Sequence, residues 1–357
     1  MFSNHEKYQS AIKRIAENTS FDRNELDDSS FLVTGATGLI GTVLVDTLMF
    51  MNEVFKSNIQ IHITTRNARS AERYFAAYKD NPLFRIVEWD INNKTPQKTP
   101  QNTPKKIDFI IQGASNTHPI LYATKPIETI STNISGSQNI FELASKSQTK
   151  RVVFLSSSEI YGENRGDATA FSEDYCGYIN CNALRSGYTE SKRLAEALAQ
   201  AYIEEKKLDI VIARLGRILG PTIKPDDSKG TSQFIRSAIK GEDIILKSEG
   251  KQEYSYVYVM DAASAILLLL SKGVKGEAYN IANDEVVSLK GYAEMLAQSN
   301  NVKVKFELPN RVEQAGFSVI VKALLDSTKL KKLGWTAMYP IKQALTETVE
   351  ILRDQIS

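Results

Sequence analysis

The sequence predicts an α/β protein, a doubly wound parallel sheet followed by a smaller C-terminal domain. Three observations lead there. Short apolar runs alternate with helical patterns from residue 31 to residue 214. A strand, a glycine-rich turn and an apolar helix follow one another over residues 31–51. Beyond Gly216 the alternation loosens into segments richer in charge and loop residues.

The elements follow in order. Tyr8, Ile12, Ile15 and Ala16 recur at helical spacing, so residues 5–18 form a helix and residues 1–28 an N-terminal helical extension. Residues 31–34 are the first strand and 40–51 an apolar helix. Residues 59–64 alternate Ile with polar residues as a strand, 68–78 read as a helix and 84–88 as a strand. Residues 92–106 are rich in Thr, Gln and Lys with three prolines, a low-complexity surface loop. Strands at 107–111, 151–156 and 209–214 then alternate with helices at 126–145 and 187–206. Residues 29–216 thus form a first domain that also receives 254–283. Residues 217–253 and 284–357 form the second.

Composition narrows the class. The chain has 357 residues, enough for one large or two interleaved domains. With 44 basic against 42 acidic residues the net charge is +2, which gives no footprint for nucleic acid or a membrane surface. The apolar run at 266–270 is far too short for a membrane span, and the N-terminus has no signal-peptide pattern. Cys176 and Cys181 are too few for a disulfide scaffold, and His5, His62 and His118 show no metal-ligand spacing. A cytoplasmic enzyme with free thiols and no metal is expected.

The turn after the first strand carries glycines at 35, 38 and 41. Gly35 permits the tight turn, Gly38 the approach of a pyrophosphate and Gly41 close helix–strand packing. Thr37, Leu39 and Ile40 complete the turn, whose helix N-terminus offers free N–H groups to phosphate. This is the arrangement of a Rossmann dinucleotide site, and it makes residues 29–216 the NAD(P)-binding domain. At the end of the second strand, where a carboxylate would hold the ribose of NAD(H), stand Arg66 and Asn67. A guanidinium there suits a 2′-phosphate, so NADP(H) is favoured, with NAD(H) as the alternative. An arginine on a solvated loop is the plainer reading.

Tyr188 and Lys192 lie four apart on a helix and share one face. The ammonium is expected to lower the phenol's pKa, letting Tyr188 exchange a proton during hydride transfer. Such spacing is common by chance. It gains weight from Ser156, Ser157 and Ser158 at the end of an apolar strand, where ligands of a parallel sheet sit. Chemistry alone leaves the choice among the three serines open.

TGATGLIG at 34–41, SSSEIYG at 156–162 and YTESK at 188–192 resemble the extended short-chain dehydrogenase/reductases. More narrowly, residues 30–340 resemble the NAD(P)-dependent epimerase/dehydratase group acting on nucleotide-activated sugars. The resemblance implies Ser157 as the catalytic hydroxyl beside Tyr188 and Lys192, with Glu159 as an acid and Ser158 on the substrate. It implies that Gly113, Ala114 and Ser115 line the cofactor, with Asp90 and Ile91 placed beside them, and that Asn133 supports Lys192. In the ARLGRILGP segment Arg217 replaces the family's Asn, and Tyr254 stands where an Arg often binds the substrate diphosphate. Arg217, Tyr254 and Gln233 are therefore expected on the substrate wall, in a substrate-binding C-terminal domain. UDP-glucuronate decarboxylases place an Arg where this chain has Ala323. The resemblance extends to reductases of CDP-linked ketoses in capsule-precursor synthesis, and to a homodimer. The expected function is NADPH-dependent reduction of a nucleotide-linked keto sugar. The alternatives are an epimerase, 4,6-dehydratase or decarboxylase that retains NAD, and a non-catalytic cofactor-binding regulator.

His118, beside the cofactor turn, reads as a loop residue. Cys176 and Cys181 read as small loop fillers, the 254/256/258 tyrosines as one face of a half-buried strand, and Trp335 as packing.

Overall fold

Runs of β-branched and aromatic residues build the centre of the molecule. The computed structural model describes residues 5–94, 106–117, 119–307 and 322–356. Most of the expected proline-rich loop and His118 lie outside them. Among the described residues seven strands form one parallel sheet: β1 (Ser30–Thr34), β2 (Gln60–Thr65), β3 (Phe84–Glu88), β4 (Phe109–Gln112), β5 (Arg151–Ser157), β6 (Ile210–Leu215) and β10 (Ala278–Ile281). Their spatial order is β10-β6-β5-β4-β1-β2-β3, so the winding reverses between β1 and β4. That reversal opens a crevice at the strand ends.

Every residue of β1 is buried, as a strand covered on both faces must be. Phe31 and Val33 join the core formed with α2 (Leu39–Phe55) and α9 (Val259–Lys272). Leu32 joins the opposite core, with α6 (Ser137–Lys146) and α7 (Ser186–Lys206). Between β4 and α6 the expected single helix 126–145 divides into α5 (Pro126–Ser131), a π-helical turn (Thr132–Gly136) and α6. A Cβ on Gly136 would lie 2.7 Å from the Ile91 side chain, so this turn packs tightly on the cleft-lining loop.

Helix α2 is apolar all round and needs cover on its outer side. The N-terminal extension supplies it: α1 (Glu6–Ala16) buries Tyr8, Ala11, Ile12, Ile15 and Ala16 against α2 and α9. Tyr8 donates to Asp46 Oδ2 at 2.7 Å and Tyr78 to Asp46 Oδ1 at 2.9 Å. Burial pushes the Asp46 carboxyl up to about 6. His5 meets Asp354 at 3.1 Å and Lys7 meets Glu350 at 2.5 Å, joining α1 to the C-terminal helix Ile341–Ile356.

A second, smaller sheet centres on β9 (Glu253–Tyr258). This strand pairs with β7 (Arg217–Leu219), β11 (Val286–Ser288) and β13 (Lys322–Ala323). Strands β8 (Ile244–Leu246) and β12 (Val304–Phe306) form a separate pair beside α8 (Gly230–Lys240) and α10 (Leu289–Asn300). Segment 254–283 therefore divides: α9 and β10 return to the main sheet, while β9 stays in the second. Its tyrosines were expected on a half-buried strand, yet residues 254–258 are buried on both faces. Tyr256 packs on Tyr292 and Tyr258 on Tyr339, at ring distances of 4.9 and 5.0 Å. Trp335 is buried, its Nε1 donating to Ser264 Oγ at 3.0 Å.

Asp46 carries a pH prediction. Its carboxyl binds a proton more tightly in the fold than in the unfolded chain. Its contribution is thus complete below about pH 4 and is lost as pH rises through about 6. In urea unfolding the native chain should lose up to about 3 kcal/mol relative to Asp46→Asn across that window. A difference independent of pH would refute this.

Candidate active site

A cleft of about 580 Å³ runs along the C-terminal strand ends, from the turn after β1 to the second sheet. Gly35 has φ +69°, and a Cβ there would come within 2.8 Å of the Gly113 carbonyl. A Cβ on Gly41 would lie 2.5 Å from the Gly35 oxygen. Both glycines let two backbones meet at the point of reversal. Thr34 Oγ1 accepts from Gly113 N and Ala114 N, each at 3.0 Å. Helix α2 starts at Leu39 behind Gly38, leaving first-turn N–H groups without helical acceptors.

Gly35, Thr37, Gly38, Leu39, Ile40 and Gly41 line this end of the cleft. Asp90, Ile91, Gly113, Ala114 and Ser115 line it from the neighbouring strand ends. Glycine cradle and uncapped helix end together fit a dinucleotide pyrophosphate.

Arg66 and Asn67 also line the cleft, though neither side chain is free. Asn67 caps α3 (Ala68–Tyr74), accepting from Ser70 N at 3.0 Å. The Arg66 guanidinium, expected to await a phosphate, pairs with Glu128 of α5 at 2.7 Å. Lys125 lies 3.5 Å from the other carboxylate oxygen. The Arg66 hydrogen bond, then Asn116 and Lys125, hold Glu128 below the usual carboxylate range.

Ser157 ends β5, and Tyr188 and Lys192 stand one turn apart on α7, all facing the cleft. The Ser157 and Tyr122 hydroxyls each favour the ionised form of the Tyr188 phenol, but burial outweighs them. The Tyr122 ring stacks on that of Tyr188, 4.6 Å away and tilted by 23°. Burial first, then the Glu159 charge, pushes the Tyr188 phenol up to about 12. Lys192 was expected to lower it. Instead its Nζ donates to Leu155 O at 2.8 Å, and burial pushes the ammonium down to about 8. Tyr188 is accordingly protonated at neutral pH.

Asn133 requires a correction as a cofactor-lining residue that supports Lys192. It is buried in the π-helical turn, outside the cleft lining. It donates to Ser191 Oγ at 2.9 Å and accepts from Ser115 Oγ at 2.7 Å, so it ties a cleft-lining serine to α7. Ser158 and Glu159 do line the cleft. Glu159 is held in a fork by Arg185, at 2.9 and 3.1 Å. Neither Arg185, three residues before Tyr188, nor Tyr122 belongs to a motif legible in the sequence.

The far wall carries Arg217, Lys224 and Lys229. The Arg217 guanidinium lies 3.5 Å from the centre of the Tyr254 ring, so the expected pair meets on one wall. Gln233 does not reach the cleft. Helix α8 turns Phe234, Ile235 and Ala238 inward, leaving Gln233 exposed and bonded to Ser228 O at 2.9 Å. Cys176 and Cys181 are free thiols, but both are exposed rather than filling the loop.

Behind the site, Ser156 donates to Glu196, one turn beyond Lys192 on α7. Arg214 of β6 chelates Glu196 with Nη2 at 2.8 Å and reaches Tyr161 Oη at 3.0 Å. This network locks the end of β5 to α7, and so fixes Ser157 opposite Tyr188.

Residues 31–282 match the model of the NAD dependent epimerase/dehydratase family. UDP-glucuronic acid decarboxylase 6 of Arabidopsis thaliana is 32% identical over 326 residues, covering 88% of this chain and 86% of that protein. UDP-N-acetyl-alpha-D-glucosaminuronate decarboxylase of Bacillus cytotoxicus is 30% identical over 332 residues, covering 90% of this chain and 97% of that one. Among solved structures, the dTDP-glucose 4,6-dehydratase of Streptomyces venezuelae with NAD bound superposes with a TM-score of 0.77 at 23% identity, over 91% of this chain and 97% of that one. The UDP-glucuronic acid 4-epimerase of Bacillus cereus with NAD and UDP-glucuronic acid gives 0.76 at 20%, over 92% and 100%.

The Glu196–Arg214 pair is almost wholly buried. Glu196→Ala strands the Arg214 charge and should cost about 3–5 kcal/mol in urea unfolding. A cost near that of an exposed ion pair would show that the network does not hold the site.

Proposed function

Since the chain belongs to the NAD dependent epimerase/dehydratase family, we propose that it reduces the carbonyl of a nucleotide-linked keto sugar. NADP(H) is the cofactor in this reading, and a CDP-linked ketose yielding an alditol is the finer assignment, for surface polysaccharide synthesis. The observation that carries it is the convergence of Ser157, at the end of β5, with Tyr188 and Lys192, one turn apart on α7, on one cleft, where burial keeps the phenol protonated. A protonated phenol beside a second hydroxyl is equipped to give a proton to a carbonyl oxygen.

The residues divide the work. The 35–41 turn and residues 113–115 hold the dinucleotide, whose nicotinamide supplies the hydride when bound. Ser157 holds the carbonyl oxygen and Tyr188 protonates it. Lys192 places a positive charge between the dinucleotide turn and the phenol. Arg217 and Lys224 give the far wall the charge that a sugar diphosphate needs, while Lys229 is paired with Asp227 of the same lining at 3.4 Å. Glu159, held by Arg185, orients a sugar hydroxyl. Ala323 lines the cleft where the decarboxylases have an arginine donor, which favours reduction over decarboxylation. Division into a cofactor domain and a substrate domain near Gly216 belongs to the same reading. So does a homodimer through the helices around residues 125–145 and 188–206, where Ile127 and Leu194 are 80% and 51% exposed.

A second reading keeps NAD bound and oxidises the sugar only transiently, as an epimerase, 4,6-dehydratase or decarboxylase. The Arg66–Glu128 pair supports it by engaging the cation that NADP would use. So does the likeness to decarboxylases.

Tyr188→Phe should keep the thermal transition and cut turnover by at least ~10²-fold, the scale of a lost proton donor. Near-normal turnover would remove Tyr188 from the mechanism. Arg217→Ala should raise KM for the nucleotide sugar with little change in kcat, and an unchanged KM would take Arg217 off the substrate. NADPH consumed one for one with product supports net reduction. NAD retained through gentle purification and seen by mass spectrometry supports the second reading.

A further inference from the structure

Glu128 lies on α5, 62 residues along the chain from Arg66, and has no part in the proton chemistry. Its carboxylate nevertheless reaches the end of β2, where the fold receives the adenosine ribose. One oxygen sits 2.7 Å from Arg66 Nη1 and the other 3.5 Å from Lys125 Nζ. Asn116, which lines the cleft, also favours the Glu128 carboxylate. A carboxylate and a phosphate oxygen want the same geometry from a guanidinium.

We propose that Glu128 is a cofactor-selectivity residue, an internal carboxylate that occupies the Arg66 and Lys125 donors a ribose 2′-phosphate would need. The proposal rests on Arg66 facing the adenosine ribose, but not on which sugar is transformed or in which direction hydride moves. A 2′-phosphate must displace Glu128 from Arg66 and then lie beside its negative charge. A 2′-hydroxyl is neutral and meets neither cost. Glu128 thereby offsets part of the preference for NADP(H) that Arg66 creates, and the two residues together set the balance between the cofactors.

The size of the effect follows from exposure. The Arg66 side chain is 62% exposed and that of Glu128 32%, so water screens the pair and its strength is modest. Removing the carboxylate should therefore raise 2′-phosphate affinity roughly three- to tenfold rather than by orders of magnitude.

The test is binding by the full chain, without any sugar substrate. Titration calorimetry with 2′,5′-ADP and with 5′-ADP at fixed ionic strength compares the native chain with Glu128→Gln. The substitution should tighten 2′,5′-ADP by that factor and leave 5′-ADP within about twofold, which also shows that the adenosine site remains folded. The gain should shrink in high salt and disappear in an Arg66→Ala background. Equal gains for both nucleotides, no gain for either, or a full gain without Arg66 would each overturn the proposal. None of these outcomes depends on turnover, so a failed reductase assignment and a failed role for Glu128 remain separate results.

Discussion

The cleft exists because two backbones can almost touch where the sheet reverses its winding. Gly35 leaves the turn after β1 in a left-handed conformation, against the Gly113 carbonyl where no Cβ fits. Thr34 stitches the same junction by accepting two backbone N–H groups from the other strand end. That contact sets where α2 begins and where its free N–H groups point. Because Gly41 must also pass beside Gly35, the helix is pinned to the strand at both ends of the turn. Shifting the junction would move the phosphate cradle and the 113–115 wall together.

The chemistry at the other end rests on α7. Lys192 and Glu196 are charged residues buried one turn apart, and each is matched by a group on the sheet. Leu155 O takes the ammonium, while Ser156 and Arg214 take the carboxylate. Buried charges of this kind add little net stability compared with a well-packed apolar replacement. What they provide here is register: the helix has one rotation and one height at which both charges are answered. Ser157 and Tyr188 inherit their alignment from residues that never touch the cleft, or touch it only beside them.

Strands were the most legible elements. Buried parallel strands read as continuous apolar runs, so 84–88 coincides with β3 and 31–34 falls one residue short of β1. Ser157, Tyr188 and Lys192 were legible because motif and spacing stay within a few residues. What escaped the sequence depends on distant partners. Nothing in the residues around Arg66 announces Glu128, which arrives from another helix. Asn133 was given the wrong neighbour because the π-helical turn changes which residues share a face, carrying it to Ser191 rather than Lys192. Gln233 was placed by position in the chain, whereas the amphipathic pattern of α8 turns it outward. Tyr122 lies in a short segment with no spacing relation to α7, yet its ring packs on that of Tyr188.

The clasp between α1 and the C-terminal helix has a topological consequence. Helix α1, which packs on α2, and the helix Ile341–Ile356, which packs on β9, meet through His5–Asp354 and Lys7–Glu350. The helix that covers α2 is thus itself held by an element far away in sequence, and the two sheets are coupled through that contact.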